Sequence, residues 1–441
     1  MLSRIGEKYS NSTWIALFCF FLICGALPTR AQPEIWSHPG NGGSPNISVL
    51  VENKEARLIL IGSPFQGGIL ALDPSDGSER WRTELTERLS RPGRMLSDVA
   101  LFSTHTGTLV ALKTADGYEM WRQASQDPLD FAAASPMVVE GSVYTLSEKG
   151  VLSRYSPTGE FLNSHTIDTD WNGRRARFVP MWRDAGGLTF LDQAGRIRSF
   201  DVTSLQPIEE KRVVTAVGPG LDLLGSEIQG GVYSASLGWV WTTELSGLLR
   251  NSRVDTGQTR WTAPLGDPSE MYSDDGRELS VPILSMPSVA GSPIPAVQKL
   301  LVLTRQHATI FNPEDGGVLA RHRLPAPAVA PPLFDLSRKT WWVLTATELV
   351  GLPWDGQVKS LRLPDGSGWT NPRDAAAGLS GGLPPSDEAL RRPYSAALAG
   401  NLLVVGTSGG RIFAVPLPQP TPDAPASAAI GEPEDYGWRS W

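Results

Sequence analysis

The sequence predicts an all-β chain folded as an eight-bladed β-propeller. Three observations predict it. The first is a recurring hairpin: Gly68 to Trp81 reads GILALDPSDGSERW, Gly107 to Trp121 reads GTLVALKTADGYEMW, and Gly247 to Trp261 reads GLLRNSRVDTGQTRW. The second is composition. The 441 residues hold 45 Gly and 36 Pro with only 19% charged, which fits many strands joined by many turns. The third is spacing: the early copies lie about 40 residues apart, the period of propeller blades. No heptad run supports a coiled coil.

Each copy of the hairpin has the same logic. In the first, Ile69 to Leu72 reads as a buried strand, and Asp73, Pro74, Asp76 and Gly77 supply turn chemistry. A second strand follows and carries Trp81. Eight units of this kind are legible. They begin at Leu58, Val99, Met137, Gly187, Gly238, Lys299, Thr340 and Asn401, each with a strand, a Gly-containing turn and a further strand. One such unit cannot bury both of its faces, so the units stack around an axis. The eighth stops after Val415 without a Trp strand of its own. Glu34-Ile35-Trp36-Ser37, at the start of the mature chain, supplies one, and is expected to pair with the last blade and close the ring.

Residues 1–31 read as a secretory signal. Arg4 and Lys8 form a basic head, Trp14 to Leu27 an apolar run, and Thr29 and Ala31 set a small-residue cleavage site. A retained anchor is the alternative, although a comfortable span takes about 20 apolar residues. Both cysteines, Cys19 and Cys24, lie in this segment. Phe18 and Ile23 precede them, where a lipoprotein signal would set a small residue, so no lipid anchor is expected. The mature chain then has no disulfide, thiolate nucleophile or cysteine-bound metal. Removing Arg4, Lys8 and Arg30 along with Glu7 takes the net charge from −7 to −9. An acidic chain of this kind is not a nucleic-acid binder, and it has no general affinity for anionic lipid. Residues 418–441 are rich in Pro, Ala and acidic residues and read as a disordered tail, leaving 32–417 for the propeller. Tyr436, Trp438 and Trp441 in that tail are candidates for docking on a partner or back on the propeller.

The pattern G-x-L-x-A-L-D-x-x-x-G-x-x-x-W, approximated at Gly68–Trp81 and Gly107–Trp121, resembles the PQQ-like repeat. The resemblance covers roughly residues 33 to 417 and is sharpest in the first, second and fifth units. It implies an eight-bladed propeller in which a Trp of each blade docks against the next. Trp81, Trp121 and Trp261 take that role here, and Trp36 takes it for the last blade. An indole suits it, with a broad apolar face and an N–H able to reach a backbone carbonyl.

Two branches of the family differ in what they imply. Quinoprotein dehydrogenases hold pyrroloquinoline quinone and calcium, typically under a disulfide of adjacent cysteines and with a catalytic Asp. The mature chain has no cysteine and no stretch matching those ligands. A PQQ-dependent oxidoreductase with a divergent site is therefore the alternative reading, as is an exported propeller that binds glycan or peptide. The other branch is non-catalytic, of the BamB scaffold type that serves outer-membrane β-barrel assembly. Length, export and the missing cofactor motifs fit that branch. The expected function is thus an exported, monomeric interaction scaffold in the periplasm. Its partners would be other envelope proteins, the β-barrel assembly machinery among them, and it would need no cofactor, metal or catalytic residue.

Smaller motifs add little chemistry. Asp168-Thr-Asp170-Trp-Asn172-Gly173 opens like a calcium loop, but Val179 stands where the bidentate Glu belongs, and Arg174, Arg175 and Arg177 oppose a cation. A connecting turn is the better reading. Trp171 with those three arginines is the candidate partner surface, set against an ordinary solvated loop. Gly378-Leu-Ser380-Gly-Gly382 fits G-x-S-x-G but lacks the strand and helix of a nucleophile elbow. The five histidines have no metal-ligand spacing. Two long insertions, Pro264 to Pro295 and Pro364 to Pro393, are expected on the surface, where loops on a rigid scaffold either carry binding or are merely tolerated.

Overall fold

The computed structural model describes residues 34–419, apart from short internal stretches and the longer segments 125–135, 168–180, 213–227, 266–282, 286–298 and 364–392. Among the described residues all regular structure is β, in eight antiparallel sheets of four strands. The first sheet holds Asn46–Glu52, Glu55–Gly62, Ile69–Leu72 and Glu79–Thr83, in that order. The second holds Arg94–Leu96, Val99–Ser103, Leu109–Lys113 and Glu119–Gln123. The third runs from Met137–Val139 to Phe161–Thr166, the fourth from Met181–Asp184 to Pro207–Arg212, and the fifth from Ile228–Ser234 to Thr259–Pro264. The sixth runs from Ile283–Ser285 to Val318–Arg323 and the seventh from Leu333–Asp335 to Lys359–Arg362. The eighth combines Pro393–Ala399, Leu402–Thr407 and Ile412–Pro416 with the amino-terminal strand Trp36–His38, in which Trp36 faces Ala414.

Burial follows strand position. Every residue of Ile69–Leu72 is buried, because a middle strand is covered on both faces. In the outer strand Glu79–Thr83 only Trp81 is buried. First strands of neighbouring sheets touch one another, for example Arg94–Leu96 with Met137–Val139 and Asn46–Glu52 with Pro393–Ala399, so they line the axis. Among the described residues the core is a set of eight apolar clusters, each wedged between two consecutive sheets. One of them joins Ile59, Ile61 and Leu70 of the first sheet to Val404, Ile412 and Ala414 of the eighth.

The turn between third and fourth strands recurs with one backbone solution. Gly77, Gly117 and Gly159 take φ of +71°, +72° and +85°. In the first sheet Gly77 N donates to Asp73 O and Asp73 N to Ser78 O. A register shift follows at once, between Ala71 and Leu72, and recurs at the same place in the second to sixth sheets. A left-handed residue followed by a bulge turns the chain tightly while adding twist.

Two sequence expectations need correction. The stretch Pro264 to Pro295 is not one insertion. Pro264 ends the outer strand of the fifth sheet, and Ile283–Ser285 within the stretch is the first strand of the sixth. Pro393 likewise opens the first strand of the eighth sheet. The inner strands were hard to read because several are only three residues long, too short to show a period.

Candidate interaction face

At four of the eight joints a tryptophan of the outer strand fixes one sheet to the next. Trp81 Nε1 donates to Thr114 O at 2.8 Å, Trp121 Nε1 to Pro157 O at 3.1 Å, Trp261 Nε1 to Pro313 O at 3.1 Å and Trp36 Nε1 to Pro74 O at 3.0 Å. Each acceptor belongs to the third turn of the following sheet, and Pro74 places the first sheet after the eighth. Each indole also lies on the turn glycine: a Cβ on Gly316 would come within 2.6 Å of Trp261 Cε3. The indole packs only where no side chain stands below it.

Four joints lack this outer Trp, those that follow the third, fourth, sixth and seventh sheets, and two of them replace it visibly. Between the third and fourth sheets Asn163 stands at the Trp position, opposite Arg154. Its Nδ2 donates to Thr203 O at 2.9 Å, Arg154 donates to the same carbonyl, and Tyr144 Oη donates to Val202 O at 2.7 Å. With no indole over it, the turn accepts Leu205 at φ 56° where the first, second, third, fifth and sixth sheets carry Gly, and its side chain is fully buried. Between the sixth and seventh sheets Ala320 takes the Trp position, and Trp354, from the receiving turn, fills the space instead. Phe334 and Trp341 pack around Trp354, and Lys299 Nζ donates to its carbonyl oxygen at 2.7 Å.

Strand direction sorts the loops onto two faces. Four antiparallel strands return the chain to the end at which it entered, so every link from one sheet to the next leaves from the same face. The turns between second and third strands share that face, and hydrogen bonds tie the two sets together. His105 N donates to Arg88 O, Ile167 N to Gly150 O and Leu265 N to Gly247 O. The opposite face carries the remaining turns, tied by Thr114 N to Asp98 O and Leu417 N to Asn401 O.

On the connecting face, Glu87 is held by a set of hydroxyls. Thr104 Oγ1 donates to it at 2.6 Å and Thr108 Oγ1 at 3.3 Å, Thr106 Oγ1 donates as well, and Arg122 Nη1 lies 3.5 Å away. Burial works to raise the pKa of Glu87, but these donors and the Arg122 charge together hold it below the ordinary value. A carboxylate so fully occupied is a structural anchor and not a free base. Among the described residues no group of three His, Cys, Asp or Glu is placed to hold a metal ion.

Trp171, Arg174, Arg175 and Arg177 lie outside the described residues, in the link from Phe161–Thr166 to Met181–Asp184. That link starts and ends on the connecting face. So do the links holding 266–282 and 364–392. Residues 1–31, Asp168–Gly173, Ser380 and 420–441 are likewise outside the described residues. Sequence reasoning missed Asn163, Leu205 and Trp354. Their signal was the absence of Trp or Gly at a repeat position, which is visible only once the register is known.

Residues 66–231 match the family described as outer membrane protein assembly factor BamB. No curated protein matches the chain. Among solved structures, BamB from Moraxella catarrhalis is 14% identical, with a TM-score of 0.52 over 85% of this chain and 98% of that one. The computationally designed protein Ika8 is 12% identical with a TM-score of 0.58, over 88% of this chain and 100% of its own. Sqt1 of Saccharomyces cerevisiae is 9% identical with a TM-score of 0.59, over 88% and 100%. At such identities the structural likeness is one of fold. The chain is thus an eight-bladed β-propeller, of which residues 66–231 are similar to the assembly-factor family model.

Proposed function

We propose that the chain is an exported, non-catalytic scaffold that binds other envelope proteins through its connecting face. The match of residues 66–231 to an outer-membrane assembly factor supports this most directly. In this reading the propeller contributes rigidity, and the links between sheets, all leaving from one face, contribute recognition. It holds no pyrroloquinoline quinone, calcium or other cofactor and acts as a monomer in the periplasm. Outer-membrane β-barrel assembly is the process it would serve.

Crosslinking co-purification of the tagged protein from its own host's envelope, read by mass spectrometry, tests this. Recovery of envelope proteins, β-barrel assembly components among them, is the expected result. A protein recovered free, with no envelope partner, would sink the scaffold reading and turn attention to ligands of the axial funnel.

A further inference from the structure

Among the described residues, the exposed large apolar side chains all lie at or just before the start of an outer strand. Four of them are the extra residue of the bulge: Met120, Leu162, Ile208 and Leu319 each stand between two paired residues with no cross-strand partner of their own. Such a residue is turned off the ladder and outward. Ile35 and Val358 hold the matching place in the eighth and seventh sheets, one residue ahead of Trp36 and Lys359. Five of the exposed side chains fall on three consecutive sheets, the second to the fourth: Tyr118, Met120, Phe161, Leu162 and Ile208. The sheets on either side break the series with a cation at the bulge. Arg80 pairs with Asp73 in the first sheet, and Arg260 in the fifth lays its guanidinium 3.6 Å from the ring centre of Trp239.

The joints knit these five into one arc. Trp121, next to Met120, lies over Gly159 and donates to Pro157 O, just ahead of Phe161, whose ring meets Tyr155 edge-on at 5.8 Å. Asn163, next to Leu162, donates to Thr203 O in the turn that leads to Ile208. Outer strands start at the opposite face, so the arc sits on the rim at that end, away from the connecting face. Apolar side chains gathered in this way, and not scattered singly, mark an interaction surface. Charge around the arc has a bias. Asp116, Glu209 and Glu210 have side chains 56%, 52% and 50% exposed, and Glu160 is exposed as well. The cations beside them are drawn further in: Lys113 is 42% exposed, Arg122 30%, Lys211 20% and Arg198 7%.

We propose that this arc, with Met120, Leu162 and Ile208 as its apolar contacts and the carboxylates as its border, binds a basic, apolar segment of a partner protein. Charge complementarity selects that occupant. A second copy of this chain would set carboxylates against carboxylates, and an anionic lipid surface would be repelled. The chain's own residues 420–441 carry Asp423, Glu432, Glu434 and Asp435 against Arg439 alone, so they too bring the wrong sign. The arc is a second surface, separate from the connecting face and independent of the role proposed for it.

Fluorescence anisotropy of the full chain with a short labelled amphipathic peptide of leucine and lysine tests the proposal. A second peptide with glutamate in place of lysine is the charge control. The leucine–lysine peptide is expected to bind, more weakly as salt is raised, and the leucine–glutamate peptide is not. Combining Met120→Ser, Leu162→Ser and Ile208→Ser is expected to weaken binding by about tenfold or more. Val318→Ser with Leu319→Ser, on the sixth sheet, is expected to leave it unchanged. Equal affinity of the triple variant and the parent would overturn the proposal, as would equal binding of the two peptides. So would phosphatidylglycerol vesicles that bind the parent and not the triple variant, which would make the occupant a lipid surface. A dimer in sedimentation that the triple variant loses would make it a second copy and overturn the proposal in the same way. Should the triple variant fail to fold, Asp116→Asn with Glu160→Gln tests the border alone: a severalfold loss of affinity is expected, and no loss would overturn the assignment.

Discussion

The indole of Trp81 lies so close over Gly117 that a Cβ on the glycine would come within 2.7 Å of Trp81 Cδ2. The pair couples two sheets: Trp81 also donates to Thr114 O, and Thr83 Oγ1 to Gly117 O at 2.6 Å. Gly117→Ala must both displace the indole and hold φ at +72°, so a loss of about 2 kcal/mol or more is expected. Trp81→Ala empties the site and is expected to cost about 3–5 kcal/mol. Urea melts of the two variants check both values. A neutral Gly117→Ala would show that the contact does not hold the joint.

Leu205 provides the inverse case. It occupies the same left-handed turn position, under Asn163 and not under Trp, with its side chain fully buried. Leu205→Gly relieves backbone strain of about 1–2 kcal/mol but forfeits a buried leucine worth more. A net destabilisation of about 1–3 kcal/mol is therefore expected, measured by the same melts. A gain in stability would mean that the strain outweighs the packing.

The Glu244–Arg250 pair is almost fully excluded from water, with side chains 3% and 8% exposed. Arg250 also donates to Thr259 Oγ1 at 3.1 Å. Removing the cation strands a buried carboxylate, so Arg250→Met is expected to cost about 3–5 kcal/mol. Replacing both with Arg250→Met and Glu244→Leu should cost clearly less, and a double-mutant cycle on unfolding free energy separates the two outcomes.

Acid should weaken the turns. Asp73 is held below the ordinary carboxyl value by the Ser75 hydroxyl, opposed by some desolvation, with help from Arg80. Asp201 is held low by the Ser204 backbone and hydroxyl and the Thr203 backbone. Groups that bind protons less readily when folded stabilise fully above the unfolded Asp pKa of about 3.9, and the contribution is lost as pH falls through the lower folded values. Melting temperature is therefore expected to drop below about pH 4, and less steeply in Asp201→Asn, as thermal melts across that range would show. An equally steep drop in the variant would remove Asp201 from the explanation.

Pyrroloquinoline quinone with calcium is expected to leave the melting temperature unchanged, since a ligand that binds the native state must raise it. A clear rise would favour the oxidoreductase reading.

The sequence disclosed most where the repeat was intact. The Asp/Gly turns and the tryptophans at 81, 121 and 261 gave the blade count, because turn chemistry and a large apolar side chain leave plain marks. The inner strands were harder to see. Ile283–Ser285 is three residues long and lies inside what read as an insertion. Compensated joints were hidden for another reason. Asn163 with Leu205, and Ala320 with Trp354, replace a clamp by partners far apart in sequence, so neither residue alone signals the exchange. The connecting face, proposed as the binding face, followed only from strand direction. Its candidate residues Trp171, Arg174, Arg175 and Arg177 lie in a link whose ends, and not its side chains, are placed.

The most direct test of the scaffold reading compares the two faces. A photoreactive residue at Lys149, exposed in a turn of the connecting face, is set against one at Glu314, exposed in a turn of the opposite face. Crosslinking in the intact envelope is expected to yield partner adducts from position 149 and few or none from position 314. Adducts from position 314 alone would contradict the assignment of the connecting face, and none from either position would contradict a scaffold role through these faces.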